Sequence, residues 1–336
     1  THTHSEGALL VDPQHAYGLQ QGITTELLGI DGMSYAPLSP DNYLAYRRWL
    51  SGLLGEPPGD LDMSSVTAFR SHYDRKVAVN TAYLVPNGTI RLEAAGFRDV
   101  PLTGPVMERA KRLLREGLEQ GAVGFSTGSS YYPGPWSSTD ELVELCEDVR
   151  EAGGVFMCEP RRANPERAFG GGGVQEALEI ALRSGVKLHL AHFRTDSDNA
   201  GIIDELMEPV DRGVADGLDV TLDIYPYPTG SSILVSVLPG WAQEGGPDSI
   251  LGRLRDPAQR SRIAEHLEHE RGRQYPLVEM VISYAAGNGH LEGMRVPDLA
   301  KERGVSAAEA VCDLLSETDL GVGYVMAPPA SAAVWR

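Results

Sequence analysis

The sequence predicts an α/β fold in which short strands alternate with longer amphipathic helices, as in βα units around a parallel sheet. β-Branched runs recur along the chain, helical-period segments fill the gaps between them, and successive strands are spaced roughly 30 to 45 residues apart, which suits one βα unit each with room for a loop. The 336 residues, 42% hydrophobic and 23% charged, are enough for one large core, and such a composition excludes disorder and fibre.

In chain order the strands are expected at Ile23 to Ile30, Val77 to Val85, Val123 to Thr127, Val155 to Cys158, Val186 to Phe193 and Leu218 to Tyr225. Between them lie helical stretches at Pro105 to Gln120, Asp140 to Ala152 and Val174 to Ser184, the last two beginning after capping residues or a glycine-rich turn. Gly170 to Gly173 reads either as a flexible loop over a site or as a tolerated surface loop. The stretch Arg253 to Arg273 reads as a solvated helical face, with His266 and His269 on the surface.

A formal charge of −18, from 29 Lys and Arg against 47 Asp and Glu, repels phosphate backbones and anionic lipid, so no nucleic-acid partner is expected. No run of about 18 apolar residues is present to span a membrane. Cys146, Cys158 and Cys312 are too few and too scattered for a disulfide framework or a zinc knuckle, which points to a reducing, cytoplasmic compartment. Both ends read as cut, the chain opening on Thr1 and closing on Ala333 to Arg336 in a helical-looking stretch, so a longer gene product is expected.

His2-Thr3-His4 is the sharpest local signal, because on a strand the side chains at i and i+2 share a face and can grip one ion. Alone it reads equally as solvated histidines or the remnant of a tag. Further ligand types follow later strands: Asp31, Glu159 and His192. In a barrel those strand ends converge on one mouth, which suits a hydrolytic metal site with an open position for water.

With these stretches in view, the chain resembles the N-acyl-D-amino-acid deacylases of the amidohydrolase superfamily. The resemblance is carried by His2-Thr3-His4-Ser5-Glu6, Gly22 to Glu26, Gly29-Ile30-Asp31-Gly32-Met33-Ser34, Val123-Gly124-Phe125-Ser126-Thr127-Gly128, Leu190-Ala191-His192-Phe193, Asp223-Ile224-Tyr225-Pro226-Tyr227 and Leu238 to Ala242, in the family's order. It implies a (β/α)8 TIM barrel of the metal-dependent hydrolase type spanning 1–336, without its eighth strand and without the small β-sandwich built from both termini.

The resemblance also implies roles. His2 and His4 match the first-strand metal pair, Asp31 stands where relatives carry a Cys, and His192 matches a later histidine ligand. Glu159 stands where a histidine is usual, a carboxylate for an imidazole that favours harder ions. One or two divalent ions, Zn²⁺ first among them, are expected. Tyr131 matches a phenol that polarises the scissile carbonyl, reading otherwise as a loop anchor. Arg194 stands where relatives carry a Lys facing the substrate carboxylate and Arg161 matches the Arg of the strand-5 motif, a guanidinium fork suiting a carboxylate and both reading otherwise as ion-pair partners. Tyr225 and Ser231 match substrate-facing positions, reading otherwise as strand caps. His15, His72, His189 and His290 match nothing, which leaves them core or surface roles. The family's proton-shuttling aspartate belongs to the eighth strand, and no matching turn follows Val322 to Met326. The implied reaction is hydrolysis of a small N-acyl-D-amino acid. Another amidohydrolase reaction, on a cyclic amide or dipeptide, and a degenerate ligand-binding barrel remain open alternatives.

Overall fold

The computed structural model describes residues 1–128, 130–162, 164–194, 201–225, 227, 229–269 and 276–326. It divides into two compact units, Thr1–Tyr43 with Pro57–Tyr225, and Leu44–Glu56 with Pro226–Arg336.

The first unit holds a six-stranded parallel sheet in sequence order: β1 (Thr25–Leu28), β2 (Asn80–Pro86), β3 (Gly124–Thr127), β4 (Val155–Cys158), β5 (Lys187–Leu190) and β6 (Val220–Leu222). His2 adds a parallel bridge to Leu27 on the outer side of β1. Five helices follow the strands: α1 (Asn87–Ala95), α2 (Pro105–Glu119), α3 (Thr139–Glu151), α4 (Gly173–Ser184) and α5 (Ile203–Ala215). Strand follows helix here for the reason the spacing suggested, since parallel neighbours need a crossover long enough to return the chain. Ser138 caps α3 by accepting the N–H of Glu141.

Ile30, Leu84, Met157 and Ala191, all at most 1% exposed, pack together inside the sheet. Phe125 and Phe156 stack on adjacent strands with ring centroids 5.9 Å apart. The sheet is curled, because His2 at one edge and Asp223 just past β6 at the other are in hydrogen-bond contact.

All the parallel strands but β4 are shorter than the runs expected for them, and β6 keeps only Val220–Leu222 of Leu218 to Tyr225. β1 stops at Leu28 because the following turn has positive φ at Gly29, Asp31 and Gly32, and β5 stops at Leu190 because His192 has φ 33°. Neither conformation continues a ladder.

The second unit holds an antiparallel sheet in which β9 (Val322–Met326) lies between β7 (Gly230–Ile233) and β8 (Met280–Ala285). Helices α6 (Gly246–Arg255), α7 (Pro257–His269), α8 (Val296–Arg303) and α9 (Ala307–Glu317) complete it, with α9 packed against the other three. No strand is expected from the sequence beyond Tyr225; β7 follows β6 after a short connection, whereas β8 and β9 each follow a pair of helices, so no regular βα spacing marks them. The expected face from Arg253 to Arg273 breaks at Asp256 and is described as far as His269, with His266 half-buried and His269 exposed. The helical reading of Ala333 to Arg336 lies outside the described residues. Among the described residues no helix is long and apolar enough to cross a membrane.

Candidate metal centre

The C-terminal ends of the parallel strands bring the sequence-predicted ligands to one mouth. Asp31 follows β1, Glu159 follows β4, His192 follows β5 by two residues, and His2 itself makes the bridge to β1, two residues before His4. A single carboxylate oxygen gathers the three imidazoles. Asp31 Oδ2 lies 3.0 Å from His2 Nε2, 3.2 Å from His4 Nε2 and 2.9 Å from His192 Nε2. Ligand atoms of His2, Asp31 and His192 all lie within 4.8 Å of one another, and these form the one group of this kind among the described residues.

Asp31 is 1% exposed, and its second oxygen, Oδ1, is buried with no hydrogen-bond partner, as is Nδ1 of His4. An orphaned carboxylate oxygen beside three imidazoles is costly in a dry protein interior. It fits a divalent cation, for which imidazole and carboxylate are ordinary ligands. Backbone strain marks the same residues: His4, Asp31 and His192 have φ of 50°, 51° and 33°, a sparsely occupied region for side chains with a Cβ and one that tends to gather at functional sites.

Charge is balanced tightly at this mouth. Burial alone would raise the Asp31 carboxyl, but the charges of His2 and His192 and their hydrogen bonds hold it well below the usual carboxylate range. Burial opposes the charged form of His2, yet Asp31 and Asp223 raise its pKa to about 10. His192 is raised against its own burial, chiefly by Asp31 and then by Glu159. For His4 burial wins and the pKa falls.

Two residues joined to this centre were not assigned from sequence. Asp223 Oδ2 lies 3.1 Å from His2 Nδ1 and 3.1 Å from His189 Nε2, while its Oδ1 accepts the backbone N–H of His192 at 2.6 Å. His189 Nδ1 is 2.8 Å from the hydroxyl of Thr221. Asp223 thus touches one candidate ligand through its ring and another through its backbone, the kind of support that fixes which imidazole nitrogen faces a metal. Its place immediately after a strand was the available signal, and it lay inside a stretch already singled out.

The remaining expected residues fall in three settings. Arg194 lies over the Tyr225 ring, 4.5 Å from its centroid, and that ring stands edge-on to His192 at 5.9 Å. Both therefore border the centre. Arg161 is 8% exposed and fully engaged: Nε donates to Glu176 at 2.7 Å, Nη1 to the Pro135 carbonyl at 3.0 Å and Nη2 to the Ser137 carbonyl at 2.9 Å. That is the ion-pair use of this arginine. Its own carbonyl accepts the N–H of Gly173 at 3.0 Å, so the glycine run before α4 is tied to it.

Glu159 is half-buried, donates its backbone N–H to the Thr127 carbonyl at 3.1 Å and lines a small cavity with Thr127, Gly128, Arg161 and Glu176. Its charge reaches His192, but its oxygens are not in the convergent group. Tyr131 is 6% exposed in the loop after β3, and a Cβ at Gly128 would meet both its ring and the Asp31 carbonyl oxygen. Ser231 is exposed on β7 of the second unit, paired with Val325. His15 meets Glu26 at 3.2 Å and His72 meets the Asp62 carbonyl at 2.8 Å, both away from the mouth's ligand group.

No family profile matches the chain. It is 33% identical to an N-acyl-D-glutamate deacylase of Alcaligenes xylosoxydans xylosoxydans over 240 residues, 70% of this chain and 47% of that protein. An N-acyl-D-aspartate deacylase of the same organism is 31% identical over 240 residues, covering 70% and 46%. The chain thus spans about half the length of the curated relatives it matches. Among solved structures, an N-acyl-D-glutamate deacylase from Bordetella bronchiseptica, complexed with zinc and a phosphonate mimic of the tetrahedral intermediate, superposes with a TM-score of 0.74 at 26% identity, covering 97% of this chain and 59% of that one. A D-aminoacylase described as defining a novel subset of amidohydrolases superposes with a TM-score of 0.74 at 23% identity, covering 99% and 60%, and shares the fold.

Proposed function

We propose that this chain, which belongs with the N-acyl-D-amino-acid deacylases of the amidohydrolase superfamily, provides the metal-binding part of an enzyme that hydrolyses N-acyl-D-amino acids to a carboxylate and a free D-amino acid. The observation that carries this reading is the meeting of three imidazole nitrogens on one oxygen of Asp31, whose other oxygen is buried and unpartnered. His2, His4, Asp31 and His192 would hold a divalent ion, Zn²⁺ first among candidates, and Glu159 would hold a second. When bound, such an ion supplies Lewis acidity and an acidified water at neutral pH.

The chain's own groups do the rest. Asp223 accepts a hydrogen bond from Nδ1–H of His2, which leaves Nε2 free to face the ion. The phenol of Tyr131 donates to the amide oxygen as negative charge develops there. Arg194, stacked on Tyr225 beside His192, presents a guanidinium fork to the substrate carboxylate. Arg161 supports the wall through Glu176, and Ser231 belongs to the substrate-facing set that the resemblance implies. An eighth strand closing the barrel, with its proton-shuttling aspartate, and a small β-sandwich are part of this reading. The relatives' greater length supports both. The three free, buried cysteines are in keeping with a cytoplasmic location, and the charge of −18 with a small-molecule substrate instead of a nucleic acid.

The test is elemental analysis of the purified protein together with a hydrolysis screen of N-acetyl-D- and N-acetyl-L-amino acids. At least one equivalent of bound metal and a strong preference for D substrates are expected. A metal-free protein, or equal rates on both enantiomers, would sink the assignment.

A further inference from the structure

The carboxylate that gathers the imidazoles sits on a turn, and one hydroxyl joins the two ends of that turn. Between Gly29 and Gly32 the chain reverses with Asp31 at φ 51°, a conformation that a residue with a Cβ keeps only when its surroundings impose it. Ser126 on β3 is fully buried. Its hydroxyl donates to the Gly29 carbonyl and accepts the N–H of Gly32 at 3.0 Å. Glu6 Oε1 accepts the N–H of Gly29 at 2.7 Å from another direction.

Packing closes the remaining space around the turn. A Cβ at Gly128, two residues after Ser126, would stand 1.9 Å from the Asp31 carbonyl oxygen, and one at Gly29 would stand 2.0 Å from the Leu84 carbonyl oxygen. The turn is therefore pressed against the ends of β2 and β3, and Ser126 is the side chain that bonds both its first and its last residue.

We propose that Ser126 is a positioning residue for the metal centre, holding Asp31 in the conformation that points one carboxylate oxygen at His2, His4 and His192. The proposal rests on the reading of that group as metal ligands. Without the hydroxyl, the Gly29 carbonyl and the Gly32 N–H lose a buried partner. Asp31 then relaxes toward negative φ, and its carboxylate leaves the point where the imidazoles meet.

The test is titration of the chelator-stripped protein with Co²⁺, followed by the visible absorption of the bound ion, which reports coordination geometry as well as affinity. Wild type is compared with Ser126→Ala, with Ser126→Cys and with Ser184→Ala as a matched control. The Ser184 hydroxyl also donates to one carbonyl (Ile180, 2.6 Å) and accepts one N–H (Val186, 3.3 Å), but before β5 begins. Ser126→Ala should bind Co²⁺ about 10- to 100-fold more weakly, the range for lost support of a metal ligand, with an altered spectrum. Ser184→Ala should bind as wild type does. Unchanged affinity and spectrum in Ser126→Ala, or an equal loss in Ser184→Ala, overturns the proposal. Should Ser126→Ala fail to fold, Ser126→Cys decides, since it nearly keeps the volume and weakens both bonds: wild-type Co²⁺ binding there overturns the proposal and weaker binding supports it. A wild type that binds no Co²⁺ overturns the metal reading itself, a result visible before any variant is made.

Discussion

The Nδ1 of His2 lies 3.1 Å from the Oδ2 of Asp223, so the two edges of the parallel sheet meet through one imidazole and one carboxylate. The same carboxylate accepts the backbone N–H of His192, a residue held at φ 33°. Two of the three convergent ligand side chains are thus oriented by a residue outside the group. Asp223→Ala should therefore weaken Zn²⁺ binding by about 10- to 100-fold, measured by calorimetric titration of the metal-free protein. Asp223→Asn, which keeps one acceptor for the His2 ring, should lose less. Equal affinity in all three proteins would show that Asp223 does not support the centre.

Stability of the metal-free protein should be greatest in mildly acidic solution. His2 is raised from 6.5 to about 10, so its contribution is complete below about 6.5 and is lost as pH rises toward 10. Asp31 and Asp223 are depressed, so their contributions are present above their usual range near 4 and are lost as pH falls below it. The melting temperature in the presence of a chelator should peak between about pH 4.5 and 6.5 and decline steadily toward pH 10. Zn²⁺ needs deprotonated imidazole, so its stabilising effect should grow with pH over the same interval.

Arg161→Ala should act on stability before it acts on substrate binding. The change leaves Glu176, 3% exposed, without its cation, and frees two carbonyls that the guanidinium now covers. Removing one partner of a buried pair costs about 3–5 kcal/mol, to be read from urea unfolding midpoints. A fully stable Arg161→Ala protein with a raised KM would instead make Arg161 a substrate contact.

Asp31 and Glu159 should separate in metal stoichiometry. Asp31→Ala removes the oxygen on which three imidazoles meet and should abolish tight binding. Glu159→Ala should retain one equivalent, because His2, Asp31 and His192 converge without it; any ion lost would be a second one. Elemental analysis after dialysis distinguishes the two, and complete loss of metal in Glu159→Ala would place Glu159 in the primary site.

Much of this molecule can be read directly from its residues. The βα alternation, the position of each parallel strand and the helices α2, α3 and α4 follow from periodicity, because a strand buried in a parallel sheet and an amphipathic helix each leave a local signature. His2, His4, Asp31 and His192 were also legible, since ligand types at the ends of successive strands must share a mouth once the sheet curls. What the tertiary structure alone decided is which partner each side chain takes. Arg161 turns inward to Glu176, while Arg194 lies on Tyr225. His189, one strand position among many, reaches Asp223, and Ser126 closes a turn that begins 97 positions earlier. The antiparallel sheet around β9 was equally hidden, because pairing between residues about 100 apart, such as Gly230 with Met326, leaves no local period. Such contacts depend on chain segments that are distant in sequence and become neighbours only after folding, so no window of sequence contains them.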